Sequence, residues 1–182
     1  MKYVIIHGTL GNPNENRFPR LKKYLEEKEH QVRVPHFPTP ENQKPEIRCD
    51  KLRNQVPFVF DSNTILIGHS LGAVYILDIL DRERKEPIKK AILVSGFLNA
   101  LGNETFDTLN APFIKENYNR NQIKQNAEEI IILHGDNDPY VPLSEAQLLK
   151  NKTDWTLEVI PNWGHLNKAA GYTTFEEILK YL

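Results

Sequence analysis

The segment that decides the fold is Thr64-Ile65-Leu66-Ile67-Gly68-His69-Ser70-Leu71-Gly72-Ala73. Its first four residues predict a short buried strand, and the apolar spacing over Leu71–Asp81 predicts a helix that follows at once. Between strand and helix lies a Gly-x-Ser-x-Gly pattern, formed by Gly68, Ser70 and Gly72. A serine at so sharp a turn has strained backbone geometry, and glycine-sized neighbours let the chain pass closely around it. The segment therefore predicts a nucleophile elbow that holds the Ser70 hydroxyl above the edge of a sheet.

Two backbone N–H groups near this turn are candidates for stabilising an anion. The N–H of Leu71 lies at the start of the predicted helix, where the first N–H groups have no partner and the helix dipole is positive. The run Ile6-His7-Gly8-Thr9-Leu10-Gly11 ends the first predicted strand and can supply a second N–H, with Thr9 as the first choice and Leu10 as the alternative. Its glycines also suit a tight turn beside a phosphate-like ligand, but the G-x-G-x-x-G pattern of a dinucleotide site is missing. These segments predict an oxyanion hole.

A serine nucleophile needs a base within hydrogen-bond reach and an acid that orients the base. His165, in the loop Pro161-Asn162-Trp163-Gly164-His165-Leu166-Asn167 after the last predicted strand, is the candidate base. The turn His134-Gly135-Asp136-Asn137-Asp138-Pro139 follows the preceding strand, at the sheet edge where ligands gather in open α/β folds. It offers Asp138 as the candidate acid and Asp136, two residues earlier in the same turn, as its rival, and the asparagine and proline around Asp138 also permit a purely structural Asx turn.

The pattern of strands and helices predicts a three-layer α/β/α fold. Apolar runs alternate with segments of helical spacing, which is typical of a mostly or wholly parallel sheet of about six strands covered on both faces. We expect one domain over residues 1–182. The predicted strands are Tyr3–Ile6, Gln31–Pro35, Thr64–Ile67, Ala91–Val94, Ile130–Leu133 and Thr156–Ile160. The clearest predicted helices are Phe18–Glu29, Leu71–Asp81 and Phe175–Leu182.

Two stretches interrupt this alternation. Residues 37–45 contain three prolines and predict a loop, followed by a possible helix that ends before Pro57. Residues 96–120 carry Gly, Asn, Asp and Pro and predict loops with at most one short helix. A stretch of about 25 residues is too short for a large cap, although it can frame one side of a pocket.

Composition and charge exclude several classes of function. Lys and Arg total 23 against 24 Asp and Glu, a net charge of −1, so the chain lacks the basic excess that binds nucleic acid. Cys49 is the only cysteine, which rules out an internal disulfide and a thiolate zinc cluster, and His30 and His36 lack the spacing of a zinc helix. No apolar run is long enough for a signal peptide or a membrane span. We expect a cytoplasmic protein without a metal, a cofactor or a membrane partner.

Taken together, the motifs resemble a family of small serine hydrolases in the α/β-hydrolase superfamily, which includes the retinoblastoma-binding serine hydrolase and bacterial YdeN-like proteins. The resemblance spans nearly the whole chain and rests on His7-Gly8, Gly68-His69-Ser70-Leu71-Gly72, Asp138-Pro139-Tyr140-Val141-Pro142 and Gly164-His165-Leu166-Asn167. It implies a reduced α/β-hydrolase sheet without a large cap. It also implies a triad of Ser70, Asp138 and His165, with Asp138 and not Asp136 as the acid.

The same resemblance implies a carboxylesterase-like hydrolase that cleaves an ester, thioester or amide bond of a small acyl substrate through an acyl-enzyme. Leu10, Phe37, Phe97 and Trp163 lie in loops near the motifs and are candidates for lining an acyl pocket, with a place in the core as the alternative for each. Two other functions suit the same residues: acyl transfer by the same triad, and a protein-interaction role with little or no catalysis and an unknown partner.

Overall fold

A six-stranded parallel sheet forms the centre of the protein. The computed structural model describes residues 1–83, 85–115, 117–151, 153, 155–173 and 176–182. The strand order is β2-β1-β3-β4-β5-β6, and every neighbouring pair runs parallel. This arrangement confirms the predicted α/β architecture. The strands are β1 (Lys2–Ile6), β2 (Gln31–Arg33), β3 (Thr64–His69), β4 (Ile88–Val94), β5 (Ala127–Gly135) and β6 (Thr156–Ile160).

Helices cover both faces of the sheet, which gives the expected three layers. One face is covered by α1 and α7, whose buried residues share a cluster, and the other by α2, α3, α5 and α6. The helices are α1 (Phe18–Glu26), α2 (Pro45–Gln55), α3 (Leu71–Leu80), α4 (Glu104–Asn110), α5 (Arg120–Gln125), α6 (Leu143–Asn151) and α7 (Glu176–Leu179). Short 3-10 turns occupy Ala111–Phe113 and Lys168–Ala170.

The two-residue period of the strands divides the core into two clusters. Along β1, Val4 and Ile6 pack with the residues of α3, whereas Tyr3 and Ile5 pack with Phe18 of α1. Successive side chains of a strand point to opposite faces, so a strand buried on both sides is apolar throughout. This is why the central strands β1, β3, β4 and β5 contain continuous apolar runs, whereas the edge strands β2 and β6 alternate polar and apolar residues.

Several element boundaries differ from the sequence prediction. Most strands begin or end a few residues outside the apolar runs, whereas β2 ends at Arg33 and not at Pro35. The first helix ends at Glu26, because the chain turns there and Glu29 adopts a φ of 60°. Of the predicted helix Phe175–Leu182, Phe175 lies outside the described residues, and α7 begins at Glu176.

Helix α6 is the one long element that the periodicity did not predict. Only Ala146 and Leu149 of this helix are buried, so its apolar face is too narrow to stand out in the sequence. Between β4 and β5 the described chain carries α4, a 3-10 turn and α5, and no large cap is present there, as expected. No helix among the described residues has the length and apolar character needed to span a membrane.

Candidate active site

The turn between β3 and α3 has the backbone of a nucleophile elbow. Ser70 adopts φ 56° and ψ −123°, a strained conformation for a residue with a side chain. Its N–H donates to the carbonyl oxygen of Val94 at 2.8 Å, which fixes the turn against β4. A Cβ added to Gly72 would overlap the carbonyl oxygen of Ile6, so only glycine lets α3 start this close to β1.

The acidic turn after β5 brings Asp138 to His165. Oδ2 of Asp138 accepts a hydrogen bond from His165 Nδ1 at 2.7 Å, while Oδ1 accepts from the N–H groups of Tyr140 and Val141, each at 2.9 Å. The Asp138 side chain is fully buried. Burial by itself raises the pKa of a carboxyl group, but the hydrogen bond from His165 and the two backbone N–H groups hold the pKa of Asp138 below its ordinary value.

Asp136, the alternative acid, has a different partner. Its Oδ1 accepts a hydrogen bond from the backbone N–H of Asn162 at 2.7 Å, and Asn137 Oδ1 accepts likewise from Gly164 at 2.7 Å. The two side chains therefore tie the loop that carries His165 to the acidic turn. The arrangement brings Asp138, and not Asp136, to the imidazole.

Two buried side chains, His69 and Arg17, also donate hydrogen bonds to the backbone of the loop that carries His165. His69 Nε2 donates to the carbonyl oxygen of His165 at 2.9 Å, and Arg17 Nη1 donates to the carbonyl oxygen of Leu166. Burial, together with the nearby charges of His165 and Arg17, lowers the pKa of His69 well below its ordinary value. A neutral His69 can keep its Nε2 proton directed at this carbonyl. Leu166 adopts φ 50°, so these contacts hold a bent segment of chain in place.

The hydrogen bonds of the turn after β1 distinguish the two candidate oxyanion donors, Thr9 and Leu10. The N–H of Leu10 already donates to Thr39 Oγ1 at 2.8 Å, which leaves Thr9 as the candidate in this turn. His7 holds the turn, since its Nδ1 donates to the Gly8 carbonyl at 2.9 Å and its Nε2 accepts from the Phe37 N–H at 3.0 Å. Burial lowers the pKa of His7 to about 4, so the ring is neutral and can make both bonds.

Ser70 and His165 line one open cleft of about 230 Å³ at the carboxyl edge of the sheet. Within the described part of the chain, the Ser70 hydroxyl makes no hydrogen bond. Catalytic hydrogen bonds in ligand-free sites are often long and shorten when substrate binds. The apolar and aromatic residues that line the cleft are Leu10, Leu101, Phe106, Tyr140 and Val141. Its lining also includes the polar residues Glu15, Asn16, Asn110 and Asn167.

Three of the four expected acyl-pocket residues lie elsewhere. Leu10 lines the cleft, but Phe37 and Phe97 are 0% exposed and belong to the core under α3, so they present no surface to a substrate. Trp163 packs edge-on against Tyr172, with ring centroids 4.8 Å apart, in the cluster on the opposite face. The prediction of these three as lining residues is wrong, because aromatic residues in short loops next to a sheet are drawn into its core.

Several residues that line the cleft were not predicted from the sequence. Tyr140 and Asn167 lie inside the quoted motifs, each two residues after the candidate acid or base, and that position was the signal that could have found them. Phe106 lies on α4, in the stretch expected to frame a pocket, but nothing in that stretch indicates which residue faces Ser70. Among the described residues, no cluster of His, Cys, Asp or Glu has the form of a metal site.

Comparison with known proteins gives one family. The family described as "Serine hydrolase" matches residues 3–182. A curated relative, serine hydrolase RBBP9 from Rattus norvegicus, is 28% identical over 120 residues. That match covers 66% of this chain and 60% of the relative, so the chain spans less than two thirds of the relative's length.

Solved structures agree with this relationship. The ydeN gene product of B. subtilis is 26% identical with a TM-score of 0.89, and the match covers 99% of this chain and 95% of that one. A YdeN-like hydrolase from Pectobacterium atrosepticum matches with a TM-score of 0.72 at 19% identity, over 100% and 88% of the two chains. Est1E from Butyrivibrio proteoclasticus, solved with ferulic acid, has a TM-score of 0.69 at 16% identity over 98% and 88%. The last two likenesses concern the fold alone.

Proposed function

Given that this chain belongs to the serine hydrolase family, we propose that it cleaves small carboxylic esters and thioesters through an acyl-enzyme on Ser70. Membership of this family and the α/β-hydrolase fold support a hydrolase activity. The observation that carries the finer proposal is the 2.7 Å hydrogen bond between the buried Asp138 carboxylate and His165, in the same cleft as a serine on a strained elbow. A buried carboxylate that orients an imidazole next to a serine hydroxyl is the arrangement that activates serine.

In the first step, the Ser70 hydroxyl attacks the substrate carbonyl and His165 Nε2 accepts its proton. Asp138 accepts a hydrogen bond from His165 Nδ1 at 2.7 Å, which keeps the Nε2 lone pair free and stabilises the imidazolium that forms. His165 then returns the proton to the leaving alcohol or thiol, and the acyl group stays on Ser70. Water, deprotonated by the same imidazole, releases the acid and restores the serine.

The oxyanion of each tetrahedral intermediate is assigned to the backbone N–H groups of Leu71 and Thr9. Leu71 is the first residue of α3, so its N–H has no carbonyl partner one turn earlier and lies at the positive end of the helix. Each donor of this kind contributes about 3 kcal/mol to the stability of the transition state. The hydrogen bonds of His7 support this role by keeping the turn before Thr9 rigid.

The size of the cleft supports small substrates. A space of about 230 Å³ with one open side suits a short acyl chain and a small leaving group better than a long lipid. Leu10, Leu101 and Phe106 give the acyl or alcohol part an apolar surface.

Hydrolysis of p-nitrophenyl acetate and p-nitrophenyl butyrate tests the proposal. The wild type should turn over both esters, and Ser70→Ala should reduce the rate to that of buffer. Equal rates for wild type and Ser70→Ala would contradict it and would favour a protein-interaction role. If release of p-nitrophenol rises with an added alcohol or amine while the acyl group appears on that acceptor, the same triad works as an acyltransferase and not mainly as a hydrolase.

A further inference from the structure

A carboxylate without an ion pair lies in the wall of the cleft. Glu15 lines the same space as Ser70 and is partly buried. Among the described residues, its side chain accepts two long side-chain hydrogen bonds, from Asn12 Nδ2 at 3.3 Å and from Asn16 Nδ2 at 3.4 Å, and no basic side chain forms an ion pair with it. Burial raises the pKa of this carboxyl group, and a backbone hydrogen bond from Asn12 offsets only part of that rise.

The carboxylate is held in a defined place beside the oxyanion turn. A Cβ added to Gly11 would overlap Glu15 Oε1, so the carboxylate lies directly against the backbone of Gly11. The Gly11 N–H in turn donates to the Gly8 carbonyl at 3.3 Å, next to the candidate donor Thr9. The Glu15 carboxylate therefore lies against the turn that carries Thr9 and lines the same cleft as Ser70.

The nearby cation Arg17 does not neutralise the Glu15 carboxylate. The guanidinium of Arg17, two residues later, turns into the core, where Nη1 bonds to the Leu166 carbonyl and the group lies over the rings of Phe18 and Tyr172. An uncompensated carboxylate near an oxyanion hole opposes the formation of the oxyanion. A positive group on the substrate removes that opposition, and a negative group adds to it.

We infer that Glu15 selects substrates that carry an ammonium or guanidinium group on an otherwise small, apolar ester. The cation pairs with the Glu15 carboxylate, and the apolar part of the substrate packs on the side formed by Leu101, Phe106 and Tyr140. This inference rests on the proposed hydrolysis at Ser70, whose substrate class it specifies. Because both groups are partly removed from water in the cleft, the pair is stronger than an exposed salt bridge.

Pairs of substrates that share a shape but differ in charge test whether the enzyme recognises the charge itself. Acetylthiocholine and its uncharged dimethylbutyl isostere place the test group in the leaving group. The phenyl esters of trimethylammonio-butyrate and of its tert-butyl isostere place it in the acyl chain. In at least one pair, the wild type should have a kcat/KM for the cation about tenfold above that for the isostere, the size expected of a partly desolvated ion pair. No preference in either pair would overturn the inference.

The variants assign the preference to one side chain. Glu15→Gln keeps the shape of the residue and should reduce the ratio of the two kcat/KM values, cation over isostere, from about ten to about one. Glu15→Asp keeps the charge and should retain part of the preference. Glu46→Gln removes an equal charge from the exposed first turn of α2 and should change nothing. A cation preference that survives in Glu15→Gln would refute the role of Glu15.

A binding measurement keeps this test apart from the test of hydrolysis. Calorimetric titration of the Ser70→Ala protein with acetylthiocholine and its isostere needs no turnover. Tighter binding of the cation, lost on adding Glu15→Gln, would support the inference even if the wild type hydrolysed no ester. Equal binding of the two compounds, in an enzyme that does hydrolyse the isostere, would remove the inference and leave the proposed hydrolysis intact.

Discussion

The two aspartates of the turn after β5 show how one position can support catalysis while its neighbour supports structure. Asp138 uses one oxygen for two backbone N–H groups and the other for His165, whereas Asp136 bonds to the backbone of the facing loop at Asn162. Local sequence left these two acids open, because they lie two residues apart in one turn and the residues around Asp138 also permit a structural Asx turn. The direction of each side chain depends on the loop across from it, and local sequence does not encode that direction.

Asp138→Asn should therefore remove activity while Asp136→Asn keeps it. In Asp138→Asn the amide oxygen keeps the two backbone N–H groups, so the amide NH₂ faces His165 Nδ1 and shifts the ring proton to Nε2, where it blocks the base. We expect kcat to fall by about 10⁴. An asparagine oxygen at position 136 can still accept from Asn162, so kcat should stay near that of the wild type. Ester hydrolysis at pH 7 measures both, and equal losses would contradict the assignment.

At the level of elements, the site depends on two loops that meet at backbone contact. The turn after β5 and the loop after β6 approach so closely that a Cβ on Gly135 would overlap the Gly164 carbonyl oxygen. Hydrogen bonds from the backbone to Asp136 and Asn137 tie the same loops together. The geometry of the acid and the base is thus set by how β5 and β6 pair, at a distance of 27 residues along the chain.

Gly135→Ala should separate these loops. We expect a large loss of kcat and a proportionally smaller loss of unfolding free energy. The added methyl group must displace the Gly164 backbone, and a shift of the His165 ring by about 1 Å costs about 100-fold in rate. Gly102→Ala is the matched control, because its Cβ would meet no atom and only its φ of 77° is unfavourable. That control should lose about 1 kcal/mol of unfolding free energy and keep its kcat. Ester turnover and urea unfolding of both variants measure the difference, and full activity in Gly135→Ala would contradict it.

The elements that were predicted well from the sequence are those whose buried residues form clear apolar runs. The central strands β1, β3, β4 and β5 contain apolar runs and the helix after Ser70 is nearly all apolar, while the edge strands β2 and β6 alternate polar and apolar residues. Their type and order could therefore be predicted, along with the parallel sheet. Helix α6 buries only two residues and was missed. Phe37 and Phe97 were misplaced for a related reason, since apolar character predicts burial but not whether the buried surface is a core or a pocket.

For the molecule as a whole, three buried histidines link stability to pH. His7, His69 and His134 all have lowered pKa values, with burial as the main cause. Each supports a loop of the site: His7 the turn after β1, His69 the loop of the base, and His134 the carbonyl of Val141 at 2.9 Å. The groups that shape the active site are therefore the same groups that make the fold sensitive to acid.

The free energy of unfolding should fall as pH decreases from 6.5 towards 4. A His7 with a folded pKa of about 4 stays neutral in this window, while the unfolded chain, with the ordinary value of 6.5, takes up a proton. The unfolded state binds more protons, so stability is complete above pH 6.5 and is lost on acidification. His7 alone accounts for about 3 kcal/mol of this loss.

Urea unfolding at several pH values measures this dependence. His7→Gln should be less stable at pH 7 and show a smaller change between pH 7 and pH 4. An equal slope in wild type and His7→Gln would contradict the link between His7 and acid sensitivity.

The most direct test of the central claim, that Ser70 is an activated nucleophile, is covalent labelling with a fluorophosphonate followed by intact mass and peptide mapping. The account predicts one phosphonyl adduct per chain, on Ser70, with no adduct on Ser70→Ala and much slower labelling of Asp138→Asn than of Asp136→Asn. An unmodified wild-type chain, or an adduct that persists in Ser70→Ala, would contradict it.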